Sequence, residues 1–213
     1  MRASAIKTAS IIKPTQRKVK KWCIGSILLL LLSSCAYFNT FYNAQNYYAT
    51  GLKHLEADTD PGTGQIPRPA ADAFSLAIEK SLKVIAKYPE SKLIDKTLFI
   101  LGRSHYYRGE YGLAERYLLQ LLNEYTWVDY TPTVRLWLAK VHAEMGLYDV
   151  MEADLAPILE ADNPPRELVT EIYLLRGDQA VRREETGLAI AAYEEGARLA
   201  ASNAQQAAIF YKL

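Results

Sequence analysis

The chain has few residues that do chemistry. Of 213 residues, two are Cys and three are His. Sustained period-two alternation is missing, and so is any Asn-Gly hairpin signal, so nothing in the sequence predicts a sheet. No GxSxG, HExxH, Walker loop or GxGxxG occurs. Gly62-Thr63-Gly64 is too short and too closely flanked by proline to cradle a phosphate. The acidic pairs Glu184-Glu185 and Glu194-Glu195 fall on the polar faces of helical patterns, where a carboxylate is solvated rather than poised as acid or base. The sequence therefore predicts no enzyme, no metal and no cofactor.

The first 34 residues lack acid altogether. They hold seven basic residues (Arg2, Lys7, Lys13, Arg17, Lys18, Lys20 and Lys21) and then an almost wholly apolar run from Trp22 to Leu32. That run is shorter than the roughly 20 apolar residues a membrane-spanning helix needs. A basic region, a short apolar region and small residues before a cut site make a secretory signal. Leu32-Ser33-Ser34-Cys35 resembles the lipobox of bacterial lipoproteins, in which an aliphatic residue and two small ones precede the cysteine that receives diacylglycerol. The resemblance implies that residues 1–34 are removed, that Cys35 is lipidated, and that 35–40 form a tether. Ala36, rather than Asp, follows the cysteine, which implies sorting to the outer membrane.

Removing residues 1–34 takes away seven of 25 basic residues and none of the 24 acidic ones, leaving a net charge of about −6. A nucleic-acid binder would need a basic face, and docking to anionic lipid by charge would need the same. Both are excluded. Cys23 leaves with the signal, so the mature chain has no thiol for a disulfide or a redox pair. Its 179 remaining residues can bury one substantial core.

Tyr and Phe fill six of the thirteen positions 36–48. The spacing of Phe41, Tyr47 and Tyr48 suits one buried helix face over 41–57. Tyr37 and Phe38 suit a membrane interface, where amphipathic rings are stable. Asp60-Pro61-Gly62, Pro67 and Pro69 then mark a loop over 58–69. Beyond it the pattern predicts helices near 71–88, 92–108, 111–125, 132–145, 148–160, 165–182 and 186–201, with another starting near Asn203. Tyr88-Pro89 ends one helix, since the residue before proline is pushed out of the α region. Gly109 and Gly146 stand at turns that favour a left-handed residue. Thr131-Pro132 and Asn163-Pro164 predict capping side chains before a first-turn proline.

These helices repeat. Leu101-Gly102, Gly109, Tyr111, Ala114 and Leu118 return 37 residues later as Leu138-Ala139, Gly146, Tyr148, Met151 and Leu155. A third unit follows with Arg176-Gly177, Ala189 and Tyr193. Met151, Arg176 and Glu184 break the pattern where a small residue, an apolar one and a turn glycine are expected. The small residues let the two helices of a pair cross closely, which resembles the tetratricopeptide (TPR) family. The predicted architecture is an all-α, TPR-type solenoid over 41–213, with units 41–89, 92–125, 131–160 and 165–201 and a partial one at 203–213. Ala207 to Leu213 reads as the start of a further helix with apolar residues facing nothing, so the pattern predicts a chain that continues.

A lipobox, an aromatic start and helix pairs linked by Tyr88-Pro89-Glu90-Ser91 resemble the BamD-type outer-membrane assembly lipoproteins. That resemblance implies a periplasm-facing scaffold, held on the outer membrane by acyl chains, with envelope proteins and a β-barrel assembly complex as partners. SusD-like nutrient-binding lipoproteins, which also use TPR helices, are the alternative, as is the TPR accessory region of a longer envelope protein. In TPR proteins the first helix of each pair lines the binding groove, which points to Arg103, His105, Tyr106 and Lys140. His105 and His142 share a repeat position and are expected about 10 Å apart, too far for one metal ion, so a packing role is expected for both.

Overall fold

A computed structural model describes residues 38–57, 66–200, 206, 207 and 209. The signal segment, Cys35, Tyr37 and the 58–65 stretch lie outside the described residues. The chain divides into two compact units, Met1–Asn39 and Thr40–Leu213. The second unit holds helices α2 to α8.

Every described element is a helix or a turn; among the described residues there is no strand. Helix α1 covers 38–56. Then come α2 (Arg68–Lys87), α3 (Ile94–Tyr107), α4 (Tyr111–Glu124), α5 (Thr131–Glu144), α6 (Tyr148–Leu159), α7 (Arg166–Arg182) and α8 (Thr186–Leu199). The boundaries fall within a few residues of those expected from periodicity. Short turns make consecutive helices antiparallel. Each of α2 to α8 packs on its chain neighbours, and α5 also touches α3 and α7 directly, whereas among the described residues no even-numbered helix packs comparably on another. Helices α3, α5 and α7 thus form one layer.

The turns within pairs explain that regularity. Glu110, Leu147 and Glu185 each donate a backbone N–H to the carbonyl five residues back, on His105, His142 and Ala180, at 2.9 Å in every case. This bond needs a left-handed residue just before the donor. Gly109 and Gly146 supply it with φ of 72° and 73°, and Glu184 is forced into the same region at φ 61°. The third unit keeps the turn although it has lost the glycine.

Inside each pair a small residue admits a large one. A Cβ on Gly102 would lie 2.6 Å from Leu118, and one on Gly177 would lie 2.4 Å from the Tyr193 ring. Ala139 shares a buried cluster with Met151 and Leu155. The first pair has the same device, which periodicity alone did not expose: a Cβ on Gly51 would lie 2.6 Å from the Phe74 ring. Phe74, Leu98, Leu101, Leu118, Leu121 and Leu155 are fully buried, each contributing about 1.5–3 kcal/mol by leaving water.

Three local expectations are corrected. Thr131 is the first residue of α5, not its cap, and no side chain caps that helix; its hydroxyl donates instead to the Val128 carbonyl at 2.8 Å. Asn163 does not cap α7, which starts after Pro165; a residue before proline is disfavoured in the α region, and both Asn163 and Pro164 precede one. Ile209 does not face nothing: it is 1% exposed, packed with Ala180, Tyr193 and Ala197, and the Gln206 side chain donates to the Ala197 carbonyl at 3.2 Å.

Candidate partner-binding face

Where α1, α3, α5 and α7 come together lies a run of half-buried and buried rings and cations, with Trp137 8% exposed and Tyr48 8% exposed. Its centre is Trp137 on α5. The Arg103 guanidinium of α3 sits 4.4 Å from the Trp137 ring centre and the Lys140 ammonium 4.6 Å from it. Arg103 also lies 4.6 Å from the Tyr48 ring of α1 and 5.1 Å from Phe99. Tyr106 meets Trp137 edge-on at 5.4 Å, as does Tyr107 at 5.7 Å. Tyr107 in turn stacks on Phe74 at 4.8 Å and 9°. Negative ring faces around a planar cation hold it in place, and rings locked to rings have little freedom left to lose on binding.

Arg103 and Lys140 occupy one repeat position, the residue after the small crossover residue, yet their charges are treated differently. Lys140 Nζ donates to Glu171 Oε2 on α7 at 2.7 Å. Arg103 forms no ion pair with any described residue, and its buried Nε–H has no acceptor among them. The Tyr48 hydroxyl lies beside Tyr107 and Arg103. Burial raises its pKa, against the nearby Arg103 charge that lowers it. Tyr107 is raised for the same first reason, so both hydroxyls stay neutral and able to donate. A buried donor without an acceptor is unusual.

Two depressions flank this centre. One, of about 360 Å³, lies between α3, α5 and α7 and is lined by Tyr106, Trp137, Lys140, Glu171, Asp178 and Arg182 among others. Its rim is closed by Arg182 Nη1 donating to Glu144 at 2.8 Å. The other, of about 480 Å³, lies between α1 and α3 with Gln45, Tyr48, Lys96, Phe99, Arg103 and Tyr130 around it.

Arg103, Tyr106 and Lys140 are thus brought together on one face. His105 is not on it. It is 5% exposed, stacks on Tyr117 of α4 at 5.4 Å, and holds Glu110 through Nδ1 at 2.5 Å. Burial lowers its pKa below the ordinary imidazole value despite Glu110 beside it. His142 faces a different set, with Nδ1 at 2.6 Å from Asp154 and Nε2 at 3.2 Å from Glu115. Desolvation raises the Asp154 carboxyl against the pull of His142. The two histidines serve separate helix contacts, and among the described residues no three His, Cys, Asp or Glu side chains could hold a metal ion.

Phe99, Tyr107 and Trp137 are members of the face that were not singled out from the sequence, and Tyr48 joins them from what was expected to be plain packing. Trp137 and Lys140 are one turn apart, and that spacing is the signal that could have found the tryptophan. In the first helix, Phe41 and Tyr48 are buried, while Phe38 is 59% exposed. No protein-family model and no curated protein matches this chain.

Proposed function

We propose that this protein is a TPR-type scaffold, lipidated at Cys35 and facing the periplasm from the outer membrane, that binds envelope protein partners through its odd-numbered helices. The observation that carries the reading is Arg103: a cation framed by Tyr48, Phe99 and Trp137, with no carboxylate from the described residues of its own chain. A partner offering an acidic side chain would complete that charge, and the neighbouring depressions would take apolar groups of an extended segment or a helix. The layer of α3, α5 and α7, the three matching turns and the small crossover residues support the solenoid part of the reading. The signal and lipobox residues support the tether. Partners in outer-membrane protein assembly follow from the resemblance carried by 88–91 and the lipobox.

The test is a mild-detergent pull-down of the tagged full-length protein from membranes, with Cys35→Ala and Arg103→Ala alongside. Recovery of a β-barrel insertase, weakened by Cys35→Ala, supports the assembly role. Recovery of only a transporter or secretion complex refutes that role. Arg103→Ala should cut partner recovery about 30-fold, as expected for an interface hot spot worth about 2 kcal/mol. Undiminished recovery with helicity unchanged would remove the face from the proposal.

A further inference from the structure

Trp127 is the most exposed large apolar side chain among the described residues, at 75%. It stands in the turn between α4 and α5, and that turn is well fixed. Val128 donates its N–H to the Tyr125 carbonyl at 3.3 Å, Thr131 donates through its hydroxyl to Val128, and the Tyr130 hydroxyl donates to Asp95 of α3 at 3.0 Å. The Tyr125 ring supports Trp127 edge-on at 5.4 Å. A depression of about 460 Å³ beside it is lined by Pro89, Glu90, Ser91, Lys92 and Asp95. The chain thus holds a tryptophan in water on a turn tied down by four contacts.

The topology says which end this is. Gly51, near the end of α1, meets Phe74, near the start of α2, so α1 and α2 are antiparallel. Arg108, just past α3, donates to Ala71 near the start of α2, so α2 and α3 are antiparallel too. The start of α1 therefore lies at the same end as turns 88–93 and 125–130. Tyr42, one turn into α1, is 60% exposed there. Cys35 precedes Thr40 by five residues, and five extended residues reach at most about 17 Å. An acyl anchor at Cys35 would keep this end of the helices within that reach of the lipid. Two helix spacings of about 10 Å separate α1 from α5, so the 125–130 turn lies at a distance comparable to the tether.

We infer that this end is a lipid-facing edge, with Trp127 and Tyr42 seated in the interfacial layer of the tethering membrane. The inference rests on the lipoprotein reading proposed for Cys35. Trp and Tyr prefer the headgroup level, where the ring is partly buried and the polar tip stays wet. The edge suits zwitterionic lipid, because its two cations, Lys87 and Lys92, are outnumbered by Glu90, Asp95, Glu124 and Asp129, a net negative charge that gains nothing from anionic headgroups. The contact is too small to hold the protein alone. It orients a protein that the acyl chains already hold, as a second weak site does once the first is engaged.

Tryptophan fluorescence reads this directly. The sequence has Trp22, Trp127 and Trp137, and Trp22 leaves with the signal. In Trp137→Phe the mature chain carries one reporter, Trp127; the difference between wild type and Trp127→Phe reports the same residue should Trp137→Phe unfold. The acylated protein is placed in phosphatidylcholine vesicles with brominated acyl chains. Expected is a blue shift and loss of about half the Trp127 emission, as interfacial depth implies. The effect should be unchanged between low and high salt and absent in Cys35→Ala at the same lipid concentration. A protein that carries the diacylglycerol mass and floats with vesicles, but whose Trp127 emission stays unquenched and red, overturns the edge and leaves the lipoprotein reading standing. A chain without that mass that stays out of the vesicle fraction overturns both.

Discussion

Replacing Gly177 by alanine tests the crossing of α7 and α8 with numbers on both sides. Alanine in a helix interior is favoured over glycine by about 1 kcal/mol, so a surface glycine would gain that amount. Here the new Cβ would stand 2.4 Å from Cε1, 2.6 Å from Cδ1 and 2.9 Å from Cζ of Tyr193. The ring cannot swing away freely: Tyr193 is 4% exposed and its hydroxyl donates to Asp178 at 2.6 Å. Overpacking costs about 1–3 kcal/mol, and weakening a hydrogen bond to a carboxylate costs about 1.5–3 kcal/mol more. Gly177→Ala should therefore destabilise by about 1.5–5 kcal/mol net of propensity, read from urea unfolding followed by circular dichroism. The neighbouring unit already solves the problem with Ala139 against Leu155. Gly177→Ala combined with Tyr193→Leu should thus be more stable than the sum of the single changes by at least about 1 kcal/mol. Gly177→Ala as stable as wild type, or strictly additive changes, would refute close packing at this crossing.

Glu184→Gly should raise stability by about 1 kcal/mol, since a left-handed non-glycine residue costs about that much; a thermal midpoint about 2–4 °C higher checks it, and no gain would mean the strain is absent. His105 supplies a pH dependence. Its folded-state pKa lies below the unfolded value, so the folded chain binds fewer protons just below pH 6.5, and stability falls as the pH drops through that value toward the folded pKa. Burial pushes Glu110 up, but hydrogen bonds from His105 and Arg108 outweigh it and leave its pKa lowered; its loss of stability begins only near pH 4.5. His105→Gln should remove the upper part of this slope while costing about 1 kcal/mol at pH 7.5. An unaltered slope between pH 6.5 and 5 would rule out His105 as its source.

Helix positions were legible because burial repeats every three to four residues when a helix has one wet face. Proline and glycine then punctuate the repeats at 89, 109 and 146. The side-chain caps expected at Thr131 and Asn163 failed because a cap depends on where the first hydrogen-bonded turn closes, which lies one residue before the expected place at Thr131 and two after it at Asn163. His105 illustrates a different limit. Its expected packing role agrees with its burial, but its expected place in the groove does not. Helical spacing alone does not separate the face turned to the partner helix from the face turned to solvent when the neighbours are Arg, Ser and Tyr.

What the sequence alone determined is the set of helices and their turns, which arise from interactions a few residues apart, and the return of a small residue at 102, 139 and 177, which a repeat makes visible. Only the tertiary structure decided that Gly51 belongs to the same series, that Glu184 adopts the glycine conformation, and that Arg103 is framed by rings from three helices without a carboxylate. Those outcomes depend on helices brought together from distant parts of the chain, whose geometry is set by how closely the small residues allow them to approach.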